Sequence, residues 1–304
     1  QFREAFYGPP AYGGGGTIDP QDRTRFYYAD SRSGEGGTLE FALDWGTGES
    51  RPARILYLHG PESPGVALPG ALPQTAVYVA GRQYFINAFN SNPVSLAPAI
   101  GIWMARGDGL LVPVAAAGQA QAWKALNGEA FKDRWPTGVD RKKAPWDEPV
   151  SFVWSDANGD GIPQPEEVEF RRGVDASANT VYVGADLGVT FSSGLVLPVS
   201  GFHENGAPRY DLADAKPTVK PNSPRTQLAN FGDGWLLGIG GPLRGYRDGV
   251  ERWTYPNRWP GLHAGQTSGV TFDTPGQLVA TTRLMGAPVV VSGERLWAIN
   301  GNTG

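Results

Sequence analysis

The segment "TAVYVAGRQYFIN", Thr75–Asn87, alternates apolar and polar residues on both sides of a central glycine. Alternation with a period of two is typical of half-buried β-strands, and glycine between two such runs is typical of a tight turn. The segment therefore predicts a β-hairpin that turns at Gly81-Arg82.

The hairpin pattern recurs along the chain. Three single strands are predicted first, at Arg25–Asp30, Thr38–Trp45 and Ala53–Gly60. Further hairpins are predicted at Gly101–Val114, Asn179–Phe191, Gly245–Tyr255 and Pro288–Asn300. About twenty short strands at this spacing indicate an all-β protein, either two tandem sandwiches or a β-propeller of about five to six four-stranded blades. The absence of a strong linker favours one propeller domain over residues 1–304.

One segment interrupts the β pattern. "AGQAQAWKALNGEAFKDRW", Ala117–Trp135, is rich in Ala, Gln and Lys, and Asn127-Gly128 divides it into two pieces. Trp123 and Leu126 are three residues apart, as one buried helical face requires. The segment predicts a short helical insertion at 117–135 that covers the sheet.

Composition excludes several classes of function. The net charge is −4 and no basic cluster stands out, so nucleic-acid binding is not expected. No apolar run is long enough for a membrane-spanning helix, so no membrane span is expected. The chain has no Cys, which excludes disulfides, thiolate metal sites and a Cys nucleophile. Gln1 in place of Met suits a processed chain, so a secreted, periplasmic or cell-surface location is predicted.

The C-terminal segment "GERLWAINGNTG", Gly293–Gly304, carries a family resemblance. It resembles the blade-end motif of PQQ-type β-propellers: Leu296, Trp297, Ala298 and Ile299 match the strand, and Asn300, Asn302, Thr303 and Gly304 match the turn. The resemblance implies a bacterial propeller built from PQQ-like repeats. Because the motif ends the chain, we expect an incomplete propeller whose ring is completed by another chain, a second copy or a missing segment.

The segment "DANGDGIPQPEE", Asp156–Glu167, matches every position of the EF-hand pattern D-x-[DN]-x-[DN]-G-x5-E. Calcium takes six to eight oxygen ligands, and Gly161 allows the sharp turn that brings them together. The loop therefore predicts a calcium site. Its expected ligands are the carbonyl oxygen of Ile162 and the side chains of Asp156, Asn158, Asp160, Gln164 and Glu167.

The residues around this loop do not predict a calcium switch. Both Pro149–Ser155 and Val168–Gly173 are β-rich, and Pro163 and Pro165 disfavour a helix pair. We therefore expect an inserted calcium-binding loop between two strands that stabilises the fold rather than signals.

An aromatic and cationic stretch in the C-terminal third is a candidate ligand surface, either a platform that stacks on a sugar or the mouth of a ligand site. Its residues are Arg252, Trp253, Tyr255, Arg258, Trp259 and His263. Packing between blades, with Arg stacked on Trp, is the interpretation that we favour for the same residues. His59 and His203 lie in no metal-binding spacing, and no catalytic constellation is evident, so an enzyme is not favoured.

The sequence thus favours a calcium-stabilised, secreted or cell-surface β-propeller acting as a binding or structural module. Alternatives are a carbohydrate-active enzyme or lectin and a subunit of an extracellular assembly. A quinoprotein-like oxidoreductase is a further alternative, implied by the family resemblance.

Overall fold

The computed structural model describes residues 17–29, 37–58, 66–70, 72–87, 99–144, 147–176, 181–221, 227–239, 243–255, 278–284, 287–292 and 295–298. Their strands form successive antiparallel sheets in chain order, so the all-β and β-propeller predictions are confirmed. The first sheet has the order β1-β2-β3-β4 and contains β1 (Thr17–Ile18), β2 (Arg25–Tyr28), β3 (Gly37–Asp44) and β4 (Glu49–Tyr57).

The second sheet has six strands rather than four. In spatial order they are β5 (Thr75–Val79), β6 (Arg82–Ile86), β7 (Ala99–Ala105), β8 (Leu111–Gln119), β9 (Ser151–Ser155) and β10 (Val168–Arg171). The opening hairpin is confirmed, but its turn lies one residue earlier than predicted. Val79 pairs with Arg82, and Ala80 and Gly81 both adopt positive φ, the geometry of a two-residue hairpin turn.

The later sheets are smaller. The third combines β11 (Val181–Val183), β12 (Val189–Phe191), β13 (Leu195–Leu197) and β16 (Lys216–Pro217), with the hairpin β14 (Gly201–Phe202) and β15 (Pro208–Arg209) between the last two. The fourth contains β17 (Gln227–Asn230), β18 (Trp235–Ile239), β19 (Leu243–Arg247) and β20 (Val250–Tyr255). The fifth contains β21 (Leu278–Leu284), β22 (Ala287–Ser292) and β23 (Arg295–Ala298).

The segment expected to be helical, 117–135, begins within β8 and then contains only short 3₁₀ turns. They span Ala120–Ala122, Lys124–Asn127 and Glu129–Arg134, and a fourth 3₁₀ turn spans Pro165–Glu167. Trp123 and Leu126 are buried as predicted, and the Trp123 indole packs 5.5 Å from that of Trp154. None of the helices in the described ranges is long and apolar enough to cross a membrane.

Strand β9 lies between two hydrophobic clusters. Side chains alternate across a strand, so Val153 joins a cluster that includes β11–β13, whereas Phe152 and Trp154 join the cluster beneath the 3₁₀ turns. All five residues of β9 are buried. The strand therefore fixes the position of the loop that leaves its carboxyl end, which is the predicted calcium loop.

The C-terminal motif is tested only in part, and the completion of the ring is not tested. The part of the C-terminal motif beyond Ala298 falls outside the described residues, although β23 forms the predicted strand. Among the described residues, β1 pairs only with β2 and β23 only with β22. Completion of the ring by another chain or copy stays a prediction.

Candidate active site

The loop Asp156–Glu167 joins β9 to β10, which are antiparallel neighbours with Trp154 opposite Val168. The sequence placed this loop between strands correctly. Asp156 is 1% exposed, and its two carboxylate oxygens accept hydrogen bonds from the backbone N–H groups of Gly159 (2.9 Å) and Gly161 (3.2 Å). Burial raises the pKa of Asp156 to about 6, and these two hydrogen bonds act in the opposite direction. Gly161 has φ +72°, as the sharp turn requires.

The middle of the loop is held by Asp160. One of its oxygens accepts from the backbone N–H of Ile162 (2.8 Å), and the other accepts from the side-chain amides of Asn158 (3.1 Å) and Gln164 (2.6 Å).

Glu167 does not behave as the calcium pattern predicts. Its Oε1 accepts from the backbone N–H groups of Ala157 (2.9 Å) and Asn158 (3.2 Å). Its Oε2 accepts from the Trp154 indole (3.0 Å) and the Gln164 backbone (3.4 Å). A carboxylate has about four acceptor positions, and four N–H donors already fill them.

In this arrangement the carboxylate of Glu167, which was expected to bind the ion with both oxygens, closes the loop itself. Within the described ranges, no group of three or more His, Cys, Asp or Glu side chains is placed to hold a metal ion. Calcium binding by Asp156, Asn158, Asp160, Ile162, Gln164 and Glu167 stays a prediction.

A cleft of about 590 Å³ opens between this loop and the β14–β15 hairpin. The loop and β10 contribute Asn158, Glu166, Glu167 and Glu169. The hairpin side contributes Ser200, His203, Arg209 and Tyr210, and Arg134 from the 3₁₀ segment and Ser155 of β9 complete the polar lining. The volume is within the range of small-molecule sites.

His203 and the two arginines give this cleft its chemistry. Burial lowers the pKa of His203, and the nearby Arg209 guanidinium lowers it further, while Glu167 opposes the shift. The imidazole is therefore neutral at neutral pH and able to accept a proton. Arg134 donates to the carbonyl of Val168 (3.1 Å), which uses one of the five N–H donors of its guanidinium.

The cleft residues are held from behind. Glu169 accepts from the backbone N–H of Leu212 (2.9 Å) and pairs with Arg171 (2.8 Å). Tyr210 is buried, and its hydroxyl donates to the carbonyl of Leu187 (2.7 Å), which turns this group away from the solvent. Polar groups that face the cleft include those of His203, Arg209, Arg134 and the exposed Glu166.

The candidate ligand surface is only partly described. Arg252 lies exposed on β20, and Trp253 is 9% exposed in the hydrophobic core, packed against Gly245. The position of Trp253 is that of the packing interpretation. Arg258, Trp259 and His263 lie outside the described residues, and nothing is described of the Tyr255 side chain. This ligand surface stays a prediction.

Sequence reasoning considered His203 but gave it no role, and it did not consider Arg134 or Arg209. These three residues are separated by up to 75 positions, and no spacing pattern connects them. The one local signal for this site was a histidine, His203, in a turn directly after Gly201 and Phe202. Only the proximity of the β14–β15 turn to the loop after β9 brings the three residues together.

No protein-family model matches the sequence, and no curated protein matches it. Similar solved structures include a periplasmic gluconolactonase of Pseudomonas aeruginosa, with 14% identity and a TM-score of 0.47 over 98% of this chain and 84% of that chain. A putative 6-phosphogluconolactonase of Bacteroides uniformis has 12% identity and a TM-score of 0.26 over 86% of each chain. A PQQ-bound aldose sugar dehydrogenase of Streptomyces coelicolor has 13% identity and a TM-score of 0.32 over 97% and 84%.

The interpretation of the chain as a calcium-stabilised binding or structural module is wrong. The similar structures include proteins named as gluconolactonases, and none of those reported above is named as a calcium-binding structural module. Of the family resemblance, the propeller fold is retained, and the PQQ-like repeat stays a prediction. The TM-scores lie below 0.5, so neither a substrate nor a mechanism is transferred to this chain from those proteins.

Proposed function

We propose that this chain is a hydrolase that opens a small sugar-derived ester, such as a sugar lactone, in the cleft beside His203. The observation that carries the proposal is the position of His203, whose pKa is lowered by burial, in a polar cleft that two guanidinium groups also line. Hydrolysis of an ester needs a base for the attacking water and positive charge for the oxyanion that forms.

His203 supplies the base. Its lowered pKa keeps the imidazole unprotonated at neutral pH. It removes a proton from a water molecule, whose oxygen attacks the carbonyl carbon of the ester. The ester C–O bond then breaks, and the imidazolium returns the proton to the departing alkoxide. The products are a carboxylic acid and a hydroxyl group, which for a lactone remain in one molecule.

Arg209 and Arg134 supply the positive charge. Both line the cleft, and a guanidinium directed at the carbonyl oxygen stabilises the negative charge of the tetrahedral intermediate. The same positive charge that lowers the pKa of His203 therefore serves the later step. Glu166 and Asn158 lie exposed on the loop side, where they can accept and donate hydrogen bonds to sugar hydroxyls.

The proposal is tested with D-glucono-1,5-lactone as the substrate. A pH-stat measures the acid that its hydrolysis releases. The wild-type chain is expected to exceed the buffer rate, and His203→Gln is expected to lower kcat by about 10² to 10⁴-fold. Glu204→Gln is the matched control, since Glu204 is exposed in the same turn and does not line the cleft. A wild-type rate equal to that of buffer, or a fully active His203→Gln variant, refutes the proposal.

Calcium at Asp156–Glu167 and a secreted, periplasmic or cell-surface location remain predictions beside this proposal. The reaction above uses neither. The PQQ-like repeat assignment also remains a prediction, and no step of the reaction requires a quinone.

A further inference from the structure

The turn that carries His203 is a compact unit. The backbone N–H of His203 donates to the carbonyl of Ala207, and the N–H of Gly206 donates to the carbonyl of His203, both at 2.9 Å. Inside the turn, Oδ1 of Asn205 accepts from the N–H of Ala207 (2.9 Å). The turn therefore moves as one body, and the His203 ring moves with it.

Two contacts from strand β6, each spanning 122 residues of sequence, hold this unit in place. The hydroxyl of Tyr84, a fully buried residue of β6, donates to the carbonyl of Gly206 (2.8 Å). The guanidinium of Arg82 donates to the carbonyl of Glu204 (3.3 Å). Both contacts act on the backbone of the turn, and neither reaches the loop across the cleft.

The contact across the cleft is made by Asn205. Its Nδ2 donates to the backbone carbonyl of Asp156 (2.7 Å), 49 residues away in the sequence. Asp156 is 1% exposed and its backbone N–H donates to the carbonyl of Val114 (3.0 Å), so this end of the contact is anchored in the second sheet. Asn205 also packs on Gly159, where a Cβ atom would come within 3.3 Å of Nδ2 and where φ is +84°. Position 159 therefore requires glycine, because the side-chain amide of Asn205 occupies the space that a side chain would take.

We propose that Asn205 is a positioning residue: its amide sets the distance between the His203 turn and the loop Asp156–Glu167, and so the geometry of the cleft. The inference rests on the proposed function and adds to it a residue that does not touch the substrate. Asn205 joins two walls, one carrying His203 and Arg209 and the other carrying Asn158 and Glu166. A shift of about 1 Å between a base and its bound substrate costs up to about 100-fold in rate.

Two substitutions separate the functions of the Asn205 side chain. Asn205→Asp keeps the acceptor for Ala207 N–H and removes the donor to Asp156. Asn205→Ala removes both. If the contact with Asp156 sets the position of His203, both variants lower kcat for D-glucono-1,5-lactone by about 10- to 100-fold, with a much smaller change in KM.

The second measurement is hydrogen exchange of the backbone amides of His203 and Gly206, which requires no substrate. Exchange is expected to be at least about tenfold faster in Asn205→Asp than in the wild type, because the turn is then held from one side only. Glu204→Gln is the control and is expected to match the wild type in both measurements.

The outcomes are distinct. An Asn205→Asp variant that keeps the wild-type kcat overturns the inference, and so does a loss of activity confined to Asn205→Ala. If the wild-type chain does not hydrolyse the lactone, the proposed function fails by itself and hydrogen exchange decides the inference. Faster exchange then supports the contact with Asp156 as the restraint on the turn, and unchanged exchange overturns it.

Discussion

Replacing Glu167 by Gln separates a loop-closing role of this carboxylate from a role as a calcium ligand. In the structure its two oxygens accept from four N–H groups, those of Ala157, Asn158, Gln164 and the Trp154 indole. A glutamine side chain of the same shape has one oxygen and one NH₂ group. Whichever way the amide is turned, its NH₂ meets two N–H donors that need an acceptor.

The magnitude follows from the burial of these donors. Trp154 is 0% exposed, so its indole N–H has no access to water when its acceptor is lost. A buried donor left without a partner costs about 1–3 kcal/mol, and hydrogen bonds to a charged group contribute about 1.5–3 kcal/mol each. Because one amide oxygen keeps two of the four bonds in neutral form, Glu167→Gln is expected to lower the free energy of unfolding by about 2–4 kcal/mol.

Urea unfolding in EGTA and in millimolar calcium provides the measurement. A loop-closing Glu167 gives this loss in EGTA, where no ion is bound. Glu166→Gln is the matched control, since Glu166 is the exposed neighbour, and its effect is expected to stay within about 0.5 kcal/mol. If Glu167→Gln equals the wild type in EGTA and loses stability only in calcium, the loop-closing role is refuted and the calcium-ligand prediction is supported. The calcium prediction also requires that EGTA lower the Tm of the wild type.

Three further predictions concern the pH dependence and the core. Burial and Arg209 lower the pKa of His203, so kcat/KM for the lactone is expected to fall only below pH 6.5 as the base becomes protonated; Arg209→Gln should move this limb to higher pH, and an unmoved limb contradicts the assignment. Burial and the Asp19 carboxylate raise the pKa of Tyr27 to about 12, so the folded state favours the protonated phenol. The contribution of Tyr27 to stability is therefore fully present below pH 10 and is lost as the pH rises through 12. The Tm of Tyr27→Phe should decline less across this range than the Tm of the wild type. An equal decline in the two proteins contradicts this prediction. Trp123→Ala should cost about 3–5 kcal/mol, because Trp123 is 2% exposed and donates to the carbonyl of Ala67 (2.8 Å), whereas the exposed Lys124→Ala should change little in the same urea titration.

The strands were within reach of the sequence because their signals are local. Alternation over Thr75–Asn87 and the Asp248-Gly249 turn depends only on neighbouring residues, and β5–β6 and β19–β20 form there. The turn of the opening hairpin lies at Ala80-Gly81, one residue before the predicted Gly81-Arg82. Ala80 adopts a positive φ, a conformation that the sequence alone leads us to expect of glycine rather than alanine. The helical expectation at 117–135 failed in part because β8 continues to Gln119, where pairing with Ser151 outweighs local helix propensity.

The loop Asp156–Glu167 shows where local signals end. Its turn, its glycine and its place between two strands follow from twelve consecutive residues. The role of Glu167 does not, because the Trp154 indole that occupies one of its oxygens is directed there by the packing of β9 between two hydrophobic clusters.

The sequence by itself determined an all-β chain, the hairpins and the existence of the loop, since these depend on contacts between residues a few positions apart. Only the tertiary structure decided the cleft. Its base, its guanidinium groups and the Asn205 contact come from segments separated by tens of residues, and their proximity results from the stacking of sheets, which no local pattern encodes.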